Sequence, residues 1–185
     1  MKFDLGGSGP GAGGWQTVNL WAGADITADV LDVDWYAEDE KVDAFRLSHT
    51  LEHIPLPELH DFLRALRRKL RPGGVLTVVQ TDARRVLRLY RDGSIDFYVL
   101  RDILFVCPER RVEGIEATGR DVQQHQFMWG AEELAAELTM LAYECEVFDA
   151  GSWQFDVPSS YPFQRNETYF GFPIPNLGVR ARRPA

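Results

Sequence analysis

Apolar and polar positions change period along the chain, and the changes mark out its elements. Residues 2–5 alternate about Phe3 and Leu5 and predict a short first strand. Residues 16–21 predict a second strand, and a third falls within 25–33, around 29–31. Residues 42–47 alternate weakly and fit a fourth, buried strand. Over 57–70 the period lengthens, and Leu59, Phe62, Leu63, Leu66 and Leu70 form one apolar stripe at helical spacing. Pro72, Gly73 and Gly74 give that helix a hard stop. The unbroken run 75–79 then has the β-branched content of a central parallel strand.

Thr81 or Asp82 is placed to cap a helix that runs to about Arg91 and stops at Gly93. Ser94 is placed to cap a second helix through Phe105, and residues 108–124 are polar and irregular. Residues 131–142 predict a helix with Leu134, Leu138 and Leu141 on one face, followed by a strand over 145–150. Residues 151–176, rich in aromatics, proline and glycine, predict a long ordered loop, and 177–182 alternate as a final strand.

Strands alternating with helices predict an α/β fold of one domain, residues 1–185, with helices on both faces of the sheet. Residues 6–14 are mostly glycine and leave little room for a full helix between the first two strands, so the first crossover helix is expected to be short or missing. Ligands of such sheets bind at the carboxyl ends of the strands. Residues 6–9, Asp32, Ser48, His49, Thr81 and Asp82 all fall at predicted strand ends and are expected to converge there.

Charge and composition narrow the partners. The formal net charge of −8 is a poor match for nucleic acid, whose phosphates demand a basic face. The basic cluster Arg64, Arg67, Arg68, Lys69 and Arg71 closes a helix that opens with Glu58 and Asp61, as the helix dipole favours, and reads as structural. No apolar run is long enough to span a bilayer, and no signal-peptide pattern opens the chain, so neither membrane nor nucleic acid is an expected partner. Cys107 and Cys145 sit beside apolar residues and read as reduced structural thiols, which fits a cytoplasmic protein.

The run Ser48-His49-Thr50-Leu51-Glu52-His53-Ile54 is followed by Leu70-Arg71-Pro72-Gly73-Gly74. This pairing resembles the second half of a class I S-adenosylmethionine-dependent methyltransferase. It resembles most closely a small bacterial branch, methyltransferase type 11-like, with the signature SHxLEHI…LxPGG. His125-Gln126-Phe127-Met128-Trp129 ahead of Glu132 and Glu133 resembles the same branch, so the likeness covers nearly the whole chain. Asp4-Leu5-Gly6-Gly7-Ser8-Gly9 is similar to the family's acidic residue followed by Leu-Gly-x-Gly, with Ser8 where the second glycine is usual. The fold so implied is a Rossmann-like, doubly wound, mostly parallel sheet with its last strand antiparallel.

The resemblance implies S-adenosyl-L-methionine as cofactor, with Asp4, Gly6, Gly7, Ser8 and Gly9 around its methionine moiety. Where the family carries a carboxylate for the ribose hydroxyls, this chain offers Asn19 and Trp21, and Trp21 stands in the place of the acid. Asp32 is expected near the adenine with Val33 as a backbone neighbour, although a helix cap explains Asp32 equally well. Ser48 and His49 are expected to line the sulfonium end, with His53 packed beneath. His49 is a candidate general base for an acceptor hydroxyl, as is His125, since imidazole titrates near neutrality. His53 also reads as a structural tie at a helix terminus, and His125 as part of an aromatic cluster sealing the sheet edge. No metal site is expected, because His-x-x-Glu-His does not match the helical His-Glu-x-x-His pattern and no further ligand cluster is evident.

The expected activity is therefore methyl transfer to a small-molecule acceptor, such as a saccharide or natural-product hydroxyl, by a monomer or homodimer. Residues 94–124 and 151–176 are expected to roof the acceptor pocket, with Tyr90, Tyr98, Trp129, Trp153 and Phe155 available as its wall. A nicotinamide-dependent oxidoreductase would need Gly-x-Gly-x-x-Gly opening a full helix, which this chain lacks. Ser8, Trp21 and the missing helix also fit a methyltransferase-like binding or scaffolding module without catalysis.

Overall fold

The computed structural model describes residues 1–7, 9–105, 125–155 and 172–185. Seven strands make one sheet: β1 (Lys2–Leu5), β2 (Gln16–Asn19), β3 (Ile26–Thr27), β4 (Val42–Ser48), β5 (Leu70–Thr81), β6 (Glu144–Phe155) and β7 (Phe172–Arg182). Their order is β3-β2-β1-β4-β5-β7-β6. The first five strands run parallel, and β7 is antiparallel to both of its neighbours. This is the expected Rossmann-like α/β sheet with an antiparallel last strand.

Register decides which side chains share a face, since successive residues of a strand point to opposite sides. Leu5 pairs with Val18 and Leu47, Leu47 with Val78, and Val78 with Val179. All five are fully buried. Helices α1 (Val33–Tyr36), α2 (Leu56–Lys69) and α5 (Ala131–Met140) cover this face, and Val33, Leu59, Phe62, Leu63, Leu66, Leu134 and Leu138 complete the core. Helices α3 (Ala83–Arg91) and α4 (Phe97–Phe105) form a second cluster with Ile174, three residues from Leu177 on β7 and so on the other face. One residue out of step with the buried row runs a polar row: Thr17, Asp4, Arg46, Thr77, Arg180 and Glu146, each paired with the next. Asp4 ion-pairs with Arg46, and Arg180 with Glu146.

Among the described residues, 6–15 return the chain from β1 to β2 without a helix, as their glycine content predicts. Other boundaries move. The third strand is Ile26–Thr27 rather than 29–31, because Asp29 folds into a turn whose carboxylate accepts from the Leu31 amide at 3.0 Å. The second strand stops at Asn19, short of Trp21. Helix α2 passes straight into β5 at Leu70, which pairs with Val42; the register then shifts over the Pro-Gly-Gly segment before Val75 pairs with Ala44. Asp82 caps α3 by accepting from the Arg85 amide at 3.1 Å, whereas Asp96 rather than Ser94 accepts at the start of α4, from the Val99 amide at 2.9 Å.

The expected loop over 151–176 is strand at both ends, where Ser152 pairs with Pro175 and Phe155 with Phe172. Pro173 and Pro175 are tolerated because β5 ends its pairing at Asn176, which leaves that side of β7 without a ladder to break. The basic cluster is neutralised locally. Arg64 pairs with Asp61, Arg68 and Lys69 with Asp34 and Asp39, and Arg71 with Asp43, while Arg67 donates to the Ala142 carbonyl at 3.2 Å. Cys145 is half-buried and free, and Cys107 lies outside the described residues. No helix among the described residues is long and apolar enough to cross a membrane.

Candidate active site

Parallel strands put the loops after β1, β2, β3 and β4 at one edge of the sheet. The loop after β1 is built around three side chains from β2 and its neighbourhood. Asn19 donates to the carbonyls of Gly6 at 2.9 Å and Gly7 at 3.1 Å. Thr17 Oγ1 donates to the Gly9 carbonyl at 2.7 Å and accepts from the Asp25 amide at 2.9 Å. Asp25 Oδ2 accepts from the amides of Gly11 at 2.8 Å and Thr17 at 2.9 Å. Those amide bonds hold the Asp25 carboxyl below the usual carboxylate range.

Gly6 has no substitute here. Its φ is +84°, and a Cβ would lie 2.2 Å from Thr50 Oγ1. Gly9 also has a positive φ, but a Cβ there would meet nothing within 4 Å, so the space over the loop is open. Asp4 lies beneath the loop, buried, with Arg46 on one side; Arg46 in turn covers the Trp15 ring, its guanidinium carbon 4.9 Å from the centroid. Ser8 lies outside the described residues.

At the end of β2, Asn19 spends its amide nitrogen on the glycine loop, and its oxygen lies 3.4 Å from the Trp21 amide. Trp21 is exposed. Beyond β3, Asp32 precedes α1 without capping it through its side chain, and it is exposed. Val33 is buried in the core, and its amide is bonded to the Leu31 carbonyl at 2.8 Å.

The turn after β4 has the densest chemistry. His49 follows Ser48 with φ +51°, a left-handed conformation uncommon outside glycine, and its amide is held by the Val79 carbonyl at 2.8 Å. Its Nδ1 lies 3.3 Å from Oε1 of Glu52. Thr50 Oγ1 donates to the Leu5 carbonyl at 2.9 Å, which locks this turn to the start of the glycine loop. Leu51–His53 form a single 3₁₀ turn that buries the Glu52 side chain completely. His125 comes in from the far side of the chain: Gln126 donates its amide to the Glu52 carbonyl at 2.7 Å, and the His125 and His53 rings lie 4.8 Å apart. Burial, reinforced by His53, holds the His125 imidazole down at about 4.

Residues 17–78, about a third of the chain, match a family described as a methyltransferase domain. Solved structures similar to the whole chain include a SAM-dependent methyltransferase from Methanosarcina mazei, 16% identical over 99% of this chain and 92% of that one, TM-score 0.56. Another, from Archaeoglobus fulgidus, is 12% identical over 98% and 85%, TM-score 0.56. The 1,6-didemethyltoxoflavin-N1-methyltransferase of Burkholderia thailandensis, bound to its substrate and S-adenosylhomocysteine, is 13% identical over 100% and 71%, TM-score 0.55. The fold is that of these SAM-dependent methyltransferases. No curated protein matches the chain.

Within that methyltransferase fold, the sheet brings Gly6, Gly7, Gly9, Asn19, Trp21, Asp32, Ser48 and His49 to one edge. It keeps Asp4 and Val33 below, as supports. Sequence reading missed Asp25, whose signal is slight: an acid just before the short strand β3. It also missed Thr50 as the partner of Gly6, and it missed the buried company of Glu52. No local spacing announces that Glu52 and His53 meet His125, because His125 comes from a segment far along the chain from their shared turn. Tyr90 is exposed, Tyr98 packs on Arg101, and Trp129 packs on Phe127. The side chains of Trp153 and Phe155, and most of the two expected roof segments, lie outside the described residues.

Proposed function

We propose that the protein is an S-adenosyl-L-methionine-dependent methyltransferase of the small bacterial type 11-like branch, acting on a hydroxyl of a small molecule. One observation carries the reading. The glycine loop after β1, Asp32 after β3 and Ser48-His49 after β4 share the carboxyl edge of a sheet ordered β3-β2-β1-β4-β5-β7-β6. The family match over residues 17–78 supports it, and so do similar structures of small-molecule enzymes, one of them from echinomycin biosynthesis.

The residues fit the cofactor. Positive φ at Gly6 and Gly9 turns the loop sharply, and the open space at Gly9 admits a ligand against the backbone. Asp32 offers an exposed carboxylate for an exocyclic amine, and Trp21 an exposed ring face for stacking. Asn19, already committed to the loop, serves by shaping it. When bound, S-adenosyl-L-methionine supplies an activated methyl group, so the protein's own work is alignment, exclusion of water and proton removal. Ser48 and His49 flank the sulfonium end in this reading. His49 takes the acceptor proton and Glu52, 3.3 Å away, orients the imidazole and balances its charge. His125, held down at about 4 by burial, is the weaker base of the two candidates.

Calorimetric titration with S-adenosylmethionine, and separately with S-adenosylhomocysteine, tests the reading. One micromolar site is expected. No binding at millimolar ligand by folded protein would favour the non-catalytic module instead. In an acceptor screen begun with sugars and phenols, His49→Ala is expected to lower turnover about 10²–10⁴-fold with cofactor affinity kept within a few-fold. Unchanged turnover would eliminate His49 as the base.

A further inference from the structure

Glu52 is unusual among the described residues. Its carboxylate is wholly buried, and neither oxygen receives a hydrogen bond among the described residues. A buried carboxylate is expensive unless a cation or donors compensate it. His49 Nδ1, at 3.3 Å from one oxygen, is the only ion-pair partner among the described residues. Two further imidazoles stand close. One ligating atom from each of Glu52, His53 and His125 lies within 4.8 Å of the other two.

The tautomer of His125 is fixed by its surroundings. Its Nδ1 lies 3.1 Å from the Ile103 carbonyl, which can only accept, so Nδ1 carries the proton and Nε2 keeps its lone pair. A ring N–H donated to a backbone carbonyl is the usual support of a metal-bound histidine. The backbone is pinned as well, through the bond from the Gln126 amide to the Glu52 carbonyl. Two imidazole nitrogens and one carboxylate suit a divalent transition ion such as zinc, whereas magnesium and calcium prefer all-oxygen sets. In a tetrahedral site zinc bonds of about 2.0–2.1 Å put ligand atoms about 3.3 Å apart, so the spread of up to 4.8 Å needs to close by about 1.5 Å at most. Three protein ligands would leave a coordination position open.

We propose that Glu52, His53 and His125 bind a divalent transition-metal ion, zinc in character, at the carboxyl end of β4. An open position would be available to an oxygen of the acceptor; that use rests on the methyl-transfer reading, whereas binding of the ion does not. Two histidines and a glutamate in the 49–53 run suggest a metal, but their spacing is not that of a helical zinc motif, and the third ligand of this site is supplied from beyond α4.

The test uses the full chain stripped with a chelator. Titration with Zn²⁺ is expected to give one site per chain, and Co²⁺ to give the visible absorption of a nitrogen- and oxygen-ligated ion. Mg²⁺ and Ca²⁺ at the same concentrations are expected not to compete. His125→Ala and Glu52→Gln are each expected to weaken Zn²⁺ at least tenfold. Should Glu52→Gln not fold, His125→Ala and His53→Ala decide. A parent chain that binds no Zn²⁺, or variants that bind it as tightly as the parent, overturns the proposal. The same samples are titrated with S-adenosylhomocysteine with and without Zn²⁺. Cofactor binding without a metal site defeats this proposal alone, and a metal site without cofactor binding defeats the methyltransferase reading alone.

Discussion

Gly6 shows how little freedom the loop after β1 has at the level of one residue. A methyl group there meets the Thr50 hydroxyl at 2.2 Å, and φ of +84° is itself unfavourable for any side chain. Gly6→Ala is therefore expected to destabilise the fold by about 2 kcal/mol, the sum of backbone strain and overpacking. Its cofactor affinity is expected to fall further than its stability does. Urea denaturation and calorimetry on the same variant separate the two effects, and an unchanged urea midpoint would contradict the tight approach of Gly6 to Thr50. Legibility at this scale was uneven. The turns at Gly6 and at Ser48-His49 could be read from their neighbours in the chain, because turn chemistry is local. The partners of Glu52 could not, because burial and the approach of His125 are properties of the assembled sheet.

At the level of elements, the short helix α1 is held by charge. Lys69, at the end of α2, is 5% exposed and lies 2.6 Å from Asp34 and 2.7 Å from Asp39, which bracket the end of α1. Burial alone would lower the Lys69 ammonium, but hydrogen bonds to the two aspartates outweigh it and hold it above its usual range. Both aspartates are held below 3.8, chiefly by the hydrogen bond from Lys69. A carboxylate depressed in the folded state adds stability above its unfolded pKa and loses it as pH falls through the folded value. Lys69→Met is thus expected to be less stable than the parent near neutrality, with the difference shrinking towards about pH 3. Urea midpoints across that range check this, and a gap that is constant with pH would contradict it. Helix α2 was readable from its apolar stripe. The strand β3 was not, because its two residues are too few for a period, and the ends of β6 and β7 were hidden by aromatic and proline content that suits loops as well.

Over the whole molecule, Arg183 ties distant parts together. Just past β7, its Nη1 donates to the carbonyls of Arg67, Arg68 and Leu70, at 3.3, 3.2 and 2.5 Å, and its Nη2 pairs with Glu40 at 2.6 Å. One guanidinium thus closes the carboxyl end of α2, where the last turn leaves carbonyls without helical partners. Arg183→Ala is expected to cost about 2 kcal/mol of global stability, and Arg183→Lys to restore only part of it, since an ammonium lacks the planar fork. Equal stability of all three proteins by chemical denaturation would show the contact to be incidental. Strand order is the feature of the molecule least visible in its sequence. Alternation announces that strands exist, but which strand lies beside which is settled by crossovers and by the insertion of β7 between β5 and β6.

The hydroxyl of Thr50 donates to the Leu5 carbonyl while its side chain fills the space beside Gly6. The two halves of the candidate site, one on β1 and one on β4, are in that way a single mechanical unit. Ordering either half lowers the entropic cost of ordering the other, so ligands of the two halves are linked and must favour one another to the same degree in both directions. Whatever orders the loop after β1 then readies the turn after β4, a linkage set by one threonine.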